Sequence, residues 1–319
     1  MSLPKNHHYV PQCYLNEFRE EKKLICLDLS LVLIGLNVNL SYKAPKQVCY
    51  IENYYKIINE NYFNLNDYEE NYIELKAFSK LENEYRKVIR KIFESGELDI
   101  IDGKILSDFI LNLKIRNPSY NKVIEHHKER NTEIAKNLLI EELINDYRYS
   151  AIPFSILKKQ VDSFGERILK SSNFNKSLQF KQIIDNTDNN STSIEKFRKE
   201  ILDCKWYLLD SKNCEFSIVT SDNPGISVTD DGTLENMKFK GGFKFYFPLN
   251  SRYCLYFSDK EKDDFYSSNK KFSKKIYLKN LFNEELNLIN FQQICYHNKF
   301  AFSTEESSLF SIKEQLLRK

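Results

Sequence analysis

The hydrophobic pattern of the chain changes near residue 205, and this change limits the fold more than any other feature. Between Asp67 and Gly96, apolar residues recur at spacings of three and four, which predicts an amphipathic helix. These residues are Phe78, Leu81, Tyr85, Val88 and Ile92. After Lys205 the sequence breaks into short aromatic and β-branched runs, such as WYLLD, FKFYFPL and YCLYFS. Such runs, separated by turn sequences, are typical of antiparallel strands. An α+β fold follows.

We expect residues 1–319 to form a single unit. The same patterns divide this unit into three regions. Residues 1–66 hold short strands, with two strands or a hairpin expected within residues 23–40. Residues 67–204 form a helical region, in which one helix ends before Pro118 because the residue before proline avoids helical angles. The next helix runs toward Tyr147, and its spacing places His127 on the inward face. Residues 205–319 form a mostly antiparallel sheet packed with the helices, with a helix-like pattern at 269–299 and a terminal helix from 308.

Composition excludes several classes of protein. The seven cysteines are odd in number and include no CxxC pair, so neither a disulfide framework nor a zinc knuckle is expected. No apolar run approaches the roughly 20 residues of a membrane span, and the first residues lack the apolar segment of a signal peptide. We therefore expect a cytoplasmic protein without membrane contact. The sequence contains no P-loop or dinucleotide-binding motif, so no nucleotide cofactor is expected.

Two of the five histidines, His7 and His8, are adjacent and lie just before Pro11, a residue suited to the first turn of a helix. Neutral imidazoles there could bind a metal, act as a general base, or form hydrogen bonds in a packed N-terminal segment. HHYVP is similar to the first half of the motif of HNH-type nucleases, in which one histidine binds a divalent ion and the next activates water. No histidine occurs from Tyr9 to Glu125, so further ligands would have to come from distant residues.

Two other polar segments are candidates for chemistry. In LKIRNPSY, Arg116 lies at a helix end, where its guanidinium could clamp a phosphate or bond to terminal helix carbonyls. In TSDNPG, Asp222 follows a strand, where a carboxylate could act in a site or could simply form the turn.

A lysine-rich stretch is the candidate contact with nucleic acid. The net charge of +2 gives the whole molecule little attraction to nucleic acid, so binding would need a local patch. The segment NKKFSKKIYLK supplies one, and it could contact a phosphate backbone or form a solvated face. Its lysines are Lys270, Lys271, Lys274, Lys275 and Lys279.

Taken in order, HHYVPQCYLNEF, APKQVCYIENYY, LKIRNPSY, TSDNPG, FPLN and LINFQQICYHNKFAFS resemble a microbial family of unknown function, domain-of-unknown-function family 4238. The resemblance spans nearly the whole chain and implies one continuous unit. The positions that match its motifs are His7, His8, Pro11, Gln12, Arg116, Pro118, Ser221, Asp222, Asn223 and Pro224.

These features lead to one leading functional hypothesis, a metal-dependent phosphodiesterase or nuclease acting on nucleic acid in a microbial defence or toxin setting. His8 would be the general base, and Mg²⁺, Mn²⁺ or Zn²⁺ would bind His7, Asp222 and His127. Arg116 would clamp the phosphate, and Asn223 would position it. The alternative is a non-enzymatic binding or regulatory module in which the histidine pair and the SDNP turn are structural. A hydrolase of a small phosphorylated or acylated substrate is a third hypothesis.

Overall fold

The computed structural model describes residues 5–36, 38–57, 63–187, 192–267 and 273–318. Helices occupy the middle of the chain, and antiparallel strands dominate its C-terminal part. The α+β fold is therefore confirmed. None of the helices in these ranges is long and apolar enough to cross a membrane.

The described part of the N-terminal region contains short strands and two short α-helices. These elements are β1 (Asn6–His8), α1 (Gln12–Leu15), β2 (Leu24–Asp28), α2 (Leu29–Leu33), β3 (Ser41–Lys43) and β4 (Tyr50–Glu52). The predicted second strand within residues 23–40 is wrong, because that segment forms α2. Asp28 ends β2 and accepts a hydrogen bond from the amide of Leu31, which caps the helix. An apolar run this short does not distinguish a strand from a buried helix.

In its described residues, the helical region contains six α-helices and a two-residue strand. They are α3 (Phe78–Ser95), β5 (Glu97–Leu98), α4 (Ile100–Arg116), α5 (Ser119–Asn145), α6 (Phe154–Lys170), α7 (Ser172–Thr187) and α8 (Thr192–Asp203). Helix α3 buries the predicted apolar stripe and ends at Gly96, which adopts a left-handed conformation with φ of 66°. A π-helical turn at Ile73–Ala77 leads into it.

Helix α4 is the central helix, because every residue from Leu106 to Arg116 is buried. The carboxylate of Asp99 caps its start by accepting from the amides of Ile101 and Asp102 at 2.9 and 2.8 Å. The helix ends as predicted, with Asn117 extended before Pro118. Its C-terminal end is therefore fixed inside the protein.

The predicted inward position of His127 on α5 is wrong, because its side chain is exposed. Beyond Ile124, the α5 side chains that the structure describes as buried are polar, namely Lys128 and Thr132. Lys128 Nζ donates to the carbonyl of Ser171 at 3.2 Å, which provides a partner for the buried ammonium. Where a helix buries polar residues, its hydrophobic pattern does not indicate which face is turned inward.

The C-terminal region supplies most of the larger sheet and half of the smaller one. Its elements are β6 (Cys204–Asp210), β7 (Thr220–Ser221), β8 (Ile226–Thr229), β9 (Leu234–Glu235), β10 (Phe243–Pro248), β11 (Tyr253–Lys262), β12 (Lys274–Asn280), α9 (Asn283–Gln293), β13 (Phe300–Ser303) and α10 (Glu306–Leu317). The larger sheet has the order β5-β12-β6-β11-β10-β8-β9 and is antiparallel except where β12 runs parallel to β6. The smaller sheet has the order β3-β2-β13-β7.

The prediction of helix from the pattern at 269–299 is wrong for the first half of that segment, which contains strand β12. Lys274 occupies an inward position of this strand with its ammonium bound to Asp263 at 2.8 Å, so the usual alternation of apolar and polar residues is broken. The second half contains α9, and the terminal helix expected from 308 is present as α10.

One hydrophobic core joins the three regions of the chain. It contains Phe18 from the N-terminal region, Phe109 from α4, and Trp206 and Phe257 from the inner face of the larger sheet. Tyr14 of α1 crosses this core, and its hydroxyl bonds to Thr220 Oγ1 at 2.8 Å and to the carbonyl of Pro248 at 2.9 Å. Residues more than 200 positions apart in sequence are thus in direct contact.

Candidate functional site

The three motif segments meet at the C-terminal end of α4. Arg116 donates from Nη2 to the carbonyl of His8. The next residue, Asn117, donates from Nδ2 to the carbonyl of Asp222 at 2.8 Å. One turn earlier, Lys114 Nζ donates to Asn223 Oδ1 at 3.1 Å. We call the set His7, His8, Lys114, Arg116, Asn117, Asp222 and Asn223 the clasp; all seven are buried.

The ring of His7 is fully buried and faces Tyr55. Its Nδ1 accepts from the amide of Tyr55 at 2.8 Å, and the two rings stack with an interplanar angle of 3°. A neutral imidazole has one acceptor nitrogen, and in His7 the amide uses it. The hydroxyl of Tyr55 in turn donates to the carbonyl of Arg116 at 2.6 Å. His7 therefore has no spare lone pair for a metal.

His8 is the clasp residue with an unused ring atom. Its Nε2 is buried and has no hydrogen-bond partner among the described residues. Burial lowers the pKa of His8 to about 4, and the charge on Arg116 acts in the same direction, while backbone hydrogen bonds at Lys46 and Asn6 oppose the shift. The imidazole is consequently neutral at pH 7, and its Nε2 could act as a hydrogen-bonding group or a base.

The Arg116 guanidinium is enclosed by protein groups. Besides its bond to His8, it donates from Nη1 to Glu82 Oε1 at 2.8 Å and lies 3.6 Å from the ring centre of Phe78. The whole residue is 3% exposed. Nη1 and Nη2 are therefore used by this protein's own carboxylate and carbonyl, whereas Nε is buried without a hydrogen-bond partner among the described residues.

The carboxylate of Asp222 is bound by three consecutive backbone amides. Oδ1 accepts from Asn298 at 2.7 Å, and Oδ2 accepts from Lys299 at 2.7 Å and from Phe300 at 3.0 Å. Burial raises the pKa of Asp222, and these amide bonds oppose the rise. The side chain thereby connects the SDNP turn to the start of β13.

Asn223 and the buried ammonium of Lys114 form a second polar centre. Asn223 Nδ2 donates to the carbonyl of Tyr296 at 2.7 Å and to Asn236 Oδ1 at 2.8 Å. Lys114 Nζ donates to Asn223, to Asn236 Oδ1 at 3.0 Å and to the carbonyl of Gly225. Burial lowers the pKa of Lys114. Its partners are all uncharged oxygens, so it anchors the turn without an ion pair.

The remaining motif positions have local structural roles or lie outside the clasp. Pro11 is buried and precedes α1, whereas Gln12 is exposed. Ser221 Oγ donates to the carbonyl of Gln293 at 3.0 Å, while Pro224 is buried and Pro118 is half-buried.

The proposed ligand set His7, Asp222 and His127 is not brought together as a metal site. His127 is exposed on α5, about 12 Å along the helix from Ser119. Across the described ranges, no group of three or more His, Cys, Asp or Glu side chains could hold a metal ion.

The basic stretch does not form one continuous surface. Lys270 and Lys271 lie outside the described residues. Lys274 is buried against Asp263, whereas Lys275 and Lys279 are exposed. Lys279 forms an ion pair with Glu285 at 3.0 Å. Within this stretch, Lys275 and Lys279 are the described lysines that could face a ligand.

A small cavity lies beside the clasp, between α3, α4 and Pro11. Its volume is about 10 Å³, and its polar lining comes from Glu82, Asn112 and Arg116. A space of this size accommodates about one water molecule. It is too small for a nucleotide or a phosphate ester.

Sequence reasoning missed Lys114, Asn117, Tyr55 and Asn298 as members or partners of the clasp. A signal for Lys114 was present, since it stands within the apolar run ILNLKI of a helix that proves to be buried on all sides. Asn117 and Asn298 carry no such signal, because asparagine is common in turns.

The comparisons with known proteins agree with the motif pattern. No curated protein and no solved structure matches the chain. The family described as "Protein of unknown function (DUF4238)" matches residues 6–307, a range that includes every clasp residue. The chain therefore belongs to the DUF4238 family.

Proposed function

We propose that the protein is a non-enzymatic binding module, in which the clasp joins the N-terminal strand, the end of α4 and the C-terminal sheets. The observation that carries this proposal is the hydrogen bonding of Asp222. Both of its carboxylate oxygens accept backbone amides, which is an arrangement that fixes a chain segment and leaves little capacity for a metal.

The other charged groups of the clasp support the same function. Arg116 is bound to Glu82 and to the backbone of His8, and Lys114 is bound to carbonyl and amide oxygens. A catalytic clamp needs donors aimed at a space that substrate can enter. The adjacent cavity of about 10 Å³ does not provide such a space.

Metal dependence and nucleic-acid cleavage test the proposal directly. The purified protein would be incubated with labelled single-stranded DNA and RNA in the presence of Mg²⁺, Mn²⁺ or Zn²⁺, and its thermal unfolding would be recorded with each ion. We expect no cleavage and no ion-specific rise in Tm. His8→Ala is expected to lower Tm, because it leaves a gap between β1 and β4. Cleavage that requires an ion and disappears in a folded His8→Ala variant would overturn the proposal.

A metal-dependent phosphodiesterase is the second candidate function, and the unpartnered Nε2 of His8 favours it. A neutral histidine with one free nitrogen can accept a proton from water. For that role, the β1–β4 segment would have to move and open His8, which is 9% exposed, to substrate. The cleavage assay with His8→Ala distinguishes the two candidates.

A further inference from the structure

Four tyrosines form a row across the outer face of the larger sheet. Tyr246 on β10 is the register partner of Tyr256 on β11, which is the partner of Tyr207 on β6, and Tyr207 is the partner of Tyr277 on β12. Neighbouring ring centres are 4.9, 5.9 and 5.7 Å apart and the rings are tilted by 37–46°. Trp206 precedes Tyr207 and Phe257 follows Tyr256. Because successive side chains of a strand point to opposite faces, these two core residues lie on the face opposite the tyrosines.

Three lysines form a second row beside the tyrosines. Strands β6, β10 and β12 run in the same direction, since β11 is antiparallel to β6 and β10 and β12 is parallel to β6. Lys205, Lys244 and Lys275 each stand two residues before the tyrosine of their strand, and residues two apart share a face. All three lysines therefore lie on the same side of the tyrosine row, with about 5 Å between the strand positions of Lys275 and Lys205 and about 10 Å between those of Lys205 and Lys244.

The charges on this face leave the lysine row available. Glu261 accepts from the Tyr207 hydroxyl, Glu285 pairs with Lys279, and Glu97 accepts from Ser273. Among the described residues, none of the three lysines in the row forms an ion pair. The face thus carries three lysines that form no ion pair among the described residues, beside carboxylates that are bound to Tyr207 and Lys279.

Helix α9 gives the face a wall. A groove of about 500 Å³ lies between the tyrosine row and this helix. Its lining includes Tyr207, Tyr246, Tyr256, Lys244 and Ile289, together with the carboxylates of Glu261 and Glu285. Its volume and its mixture of aromatic and charged groups are typical of ligand sites. The clasp, in contrast, lies where α4 meets the inner side of the sheet.

We infer that this face binds single-stranded nucleic acid, with bases stacked on the tyrosines and phosphates beside the lysine row. Aromatic rings bind any unpaired base, because every base presents a π face, and a line of cations follows the backbone. A duplex keeps its base faces within its own stack and cannot use the tyrosines. The inference goes beyond the proposed function, because it assigns a ligand and a site that the clasp does not supply.

The test uses fluorescence anisotropy with labelled oligo-dT and oligo-U of about 20 nucleotides and a duplex of equal length. We expect both single strands to bind and the duplex to bind at least tenfold more weakly. The triple variant Lys205→Gln, Lys244→Gln, Lys275→Gln should lose affinity and lower the slope of log affinity against log salt by about 2, at roughly 0.7 per lost contact. Tyr207→Leu, which keeps an apolar side chain on the strand, should weaken binding by about tenfold.

The matched control is Lys80→Gln, Lys122→Gln, Lys159→Gln, which removes the same charge from exposed positions on α3, α5 and α6. It should change affinity by less than about twofold, since exposed charges away from the ligand are screened. Thermal unfolding of every variant verifies that it is folded. Inorganic polyphosphate, which has charge but no bases, should compete poorly.

Three results overturn the inference: no single-strand binding below about 100 µM, the weak limit of non-specific association; equal losses in the two lysine variants; or equal competition by polyphosphate. If the probe is cleaved and its binding still requires the tyrosine and lysine rows, the proposed non-enzymatic function is refuted. The inference that this face binds single strands then remains valid.

Discussion

Arg116 donates a hydrogen bond to the main-chain carbonyl of His8, so helix α4 binds the backbone of the histidine pair and not its imidazoles. The same guanidinium pairs with Glu82 and covers the ring of Phe78. One side chain thereby connects β1, α3 and α4. This cation stands on the last residue of α4, two positions before Pro118.

Replacing Arg116 with alanine should lower the free energy of unfolding by about 2–4 kcal/mol, because it leaves a buried carbonyl and a half-buried carboxylate unpaired. Urea unfolding followed by tryptophan fluorescence measures the change, since Trp206 is buried in the core. Lys87→Ala is the control: it breaks an exposed pair with Glu84 and should cost less than about 0.5 kcal/mol. Equal losses in the two variants would contradict a structural role for Arg116.

Asp222→Asn should destabilise the protein by about 1–3 kcal/mol, since the amide keeps the shape of the carboxylate but faces a backbone N–H with a donor. Asp230→Asn, which removes an exposed partner of Lys260, serves as the control and should have little effect. Hydrogen exchange adds a local measurement. The amides of Asn298, Lys299 and Phe300 should exchange faster in Asp222→Asn than in the wild type, while the core helices change less.

Stability should fall in acid because of His8. The folded protein keeps this ring neutral down to about pH 4, whereas the unfolded chain protonates it near its ordinary pKa of 6.5. The unfolded state therefore binds more protons between these values, and the free energy of unfolding decreases as pH falls through that window. The full shift corresponds to roughly 3 kcal/mol.

The measurement is the difference in unfolding free energy between wild type and His8→Gln at several pH values from 7 to 4. This difference is needed because burial raises the pKa of Glu74 to about 7, which gives a slope of opposite sign in an overlapping window. The advantage of wild type over His8→Gln should shrink as pH falls. His126→Gln removes an exposed histidine and should preserve the wild-type slope. A constant difference for His8→Gln would exclude a buried neutral imidazole.

A side chain at Gly225 should lower the free energy of unfolding. A Cβ atom there would lie 2.7 Å from Cζ of Phe245, and the residue has φ of +85°. Gly232 is a close control, with φ of +83° and nothing within 4 Å of its Cβ position. Gly232→Ala should cost about 1–2 kcal/mol from backbone strain alone, and Gly225→Ala should cost about 1–3 kcal/mol more from the contact. Similar Tm values for the two variants would show that Phe245 can move.

The sequence predicted those elements whose local signals agree with their packing. Helix α3 has a regular apolar stripe and a glycine at its end, and α4 ends where Pro118 requires. Two of the errors fall where a polar residue faces inward. Lys274 in β12 and Lys128 in α5 are buried with specific partners, and those partners come from distant parts of the chain. No local pattern contains that information.

The candidate site, too, could be predicted from the sequence only in part. Residue type and motif order singled out the histidine pair, Arg116 and the SDNP turn, and these segments do meet. The role of each atom could not be predicted, because it depends on backbone groups. Asp222 binds three amides, and Arg116 binds a carbonyl, and every residue except proline carries both groups whatever its side chain.

The hydrogen bonds of the Tyr14 hydroxyl to Thr220 and Pro248 affect how the chain folds during its synthesis. Synthesis proceeds from the N-terminus, so Tyr14 leaves the ribosome more than 200 residues before either partner. Contacts of such long sequence separation slow folding, because the intervening loop must close before they form. The nascent N-terminal segment therefore exposes apolar surface until its partners are made, which makes it a natural substrate for chaperones during translation.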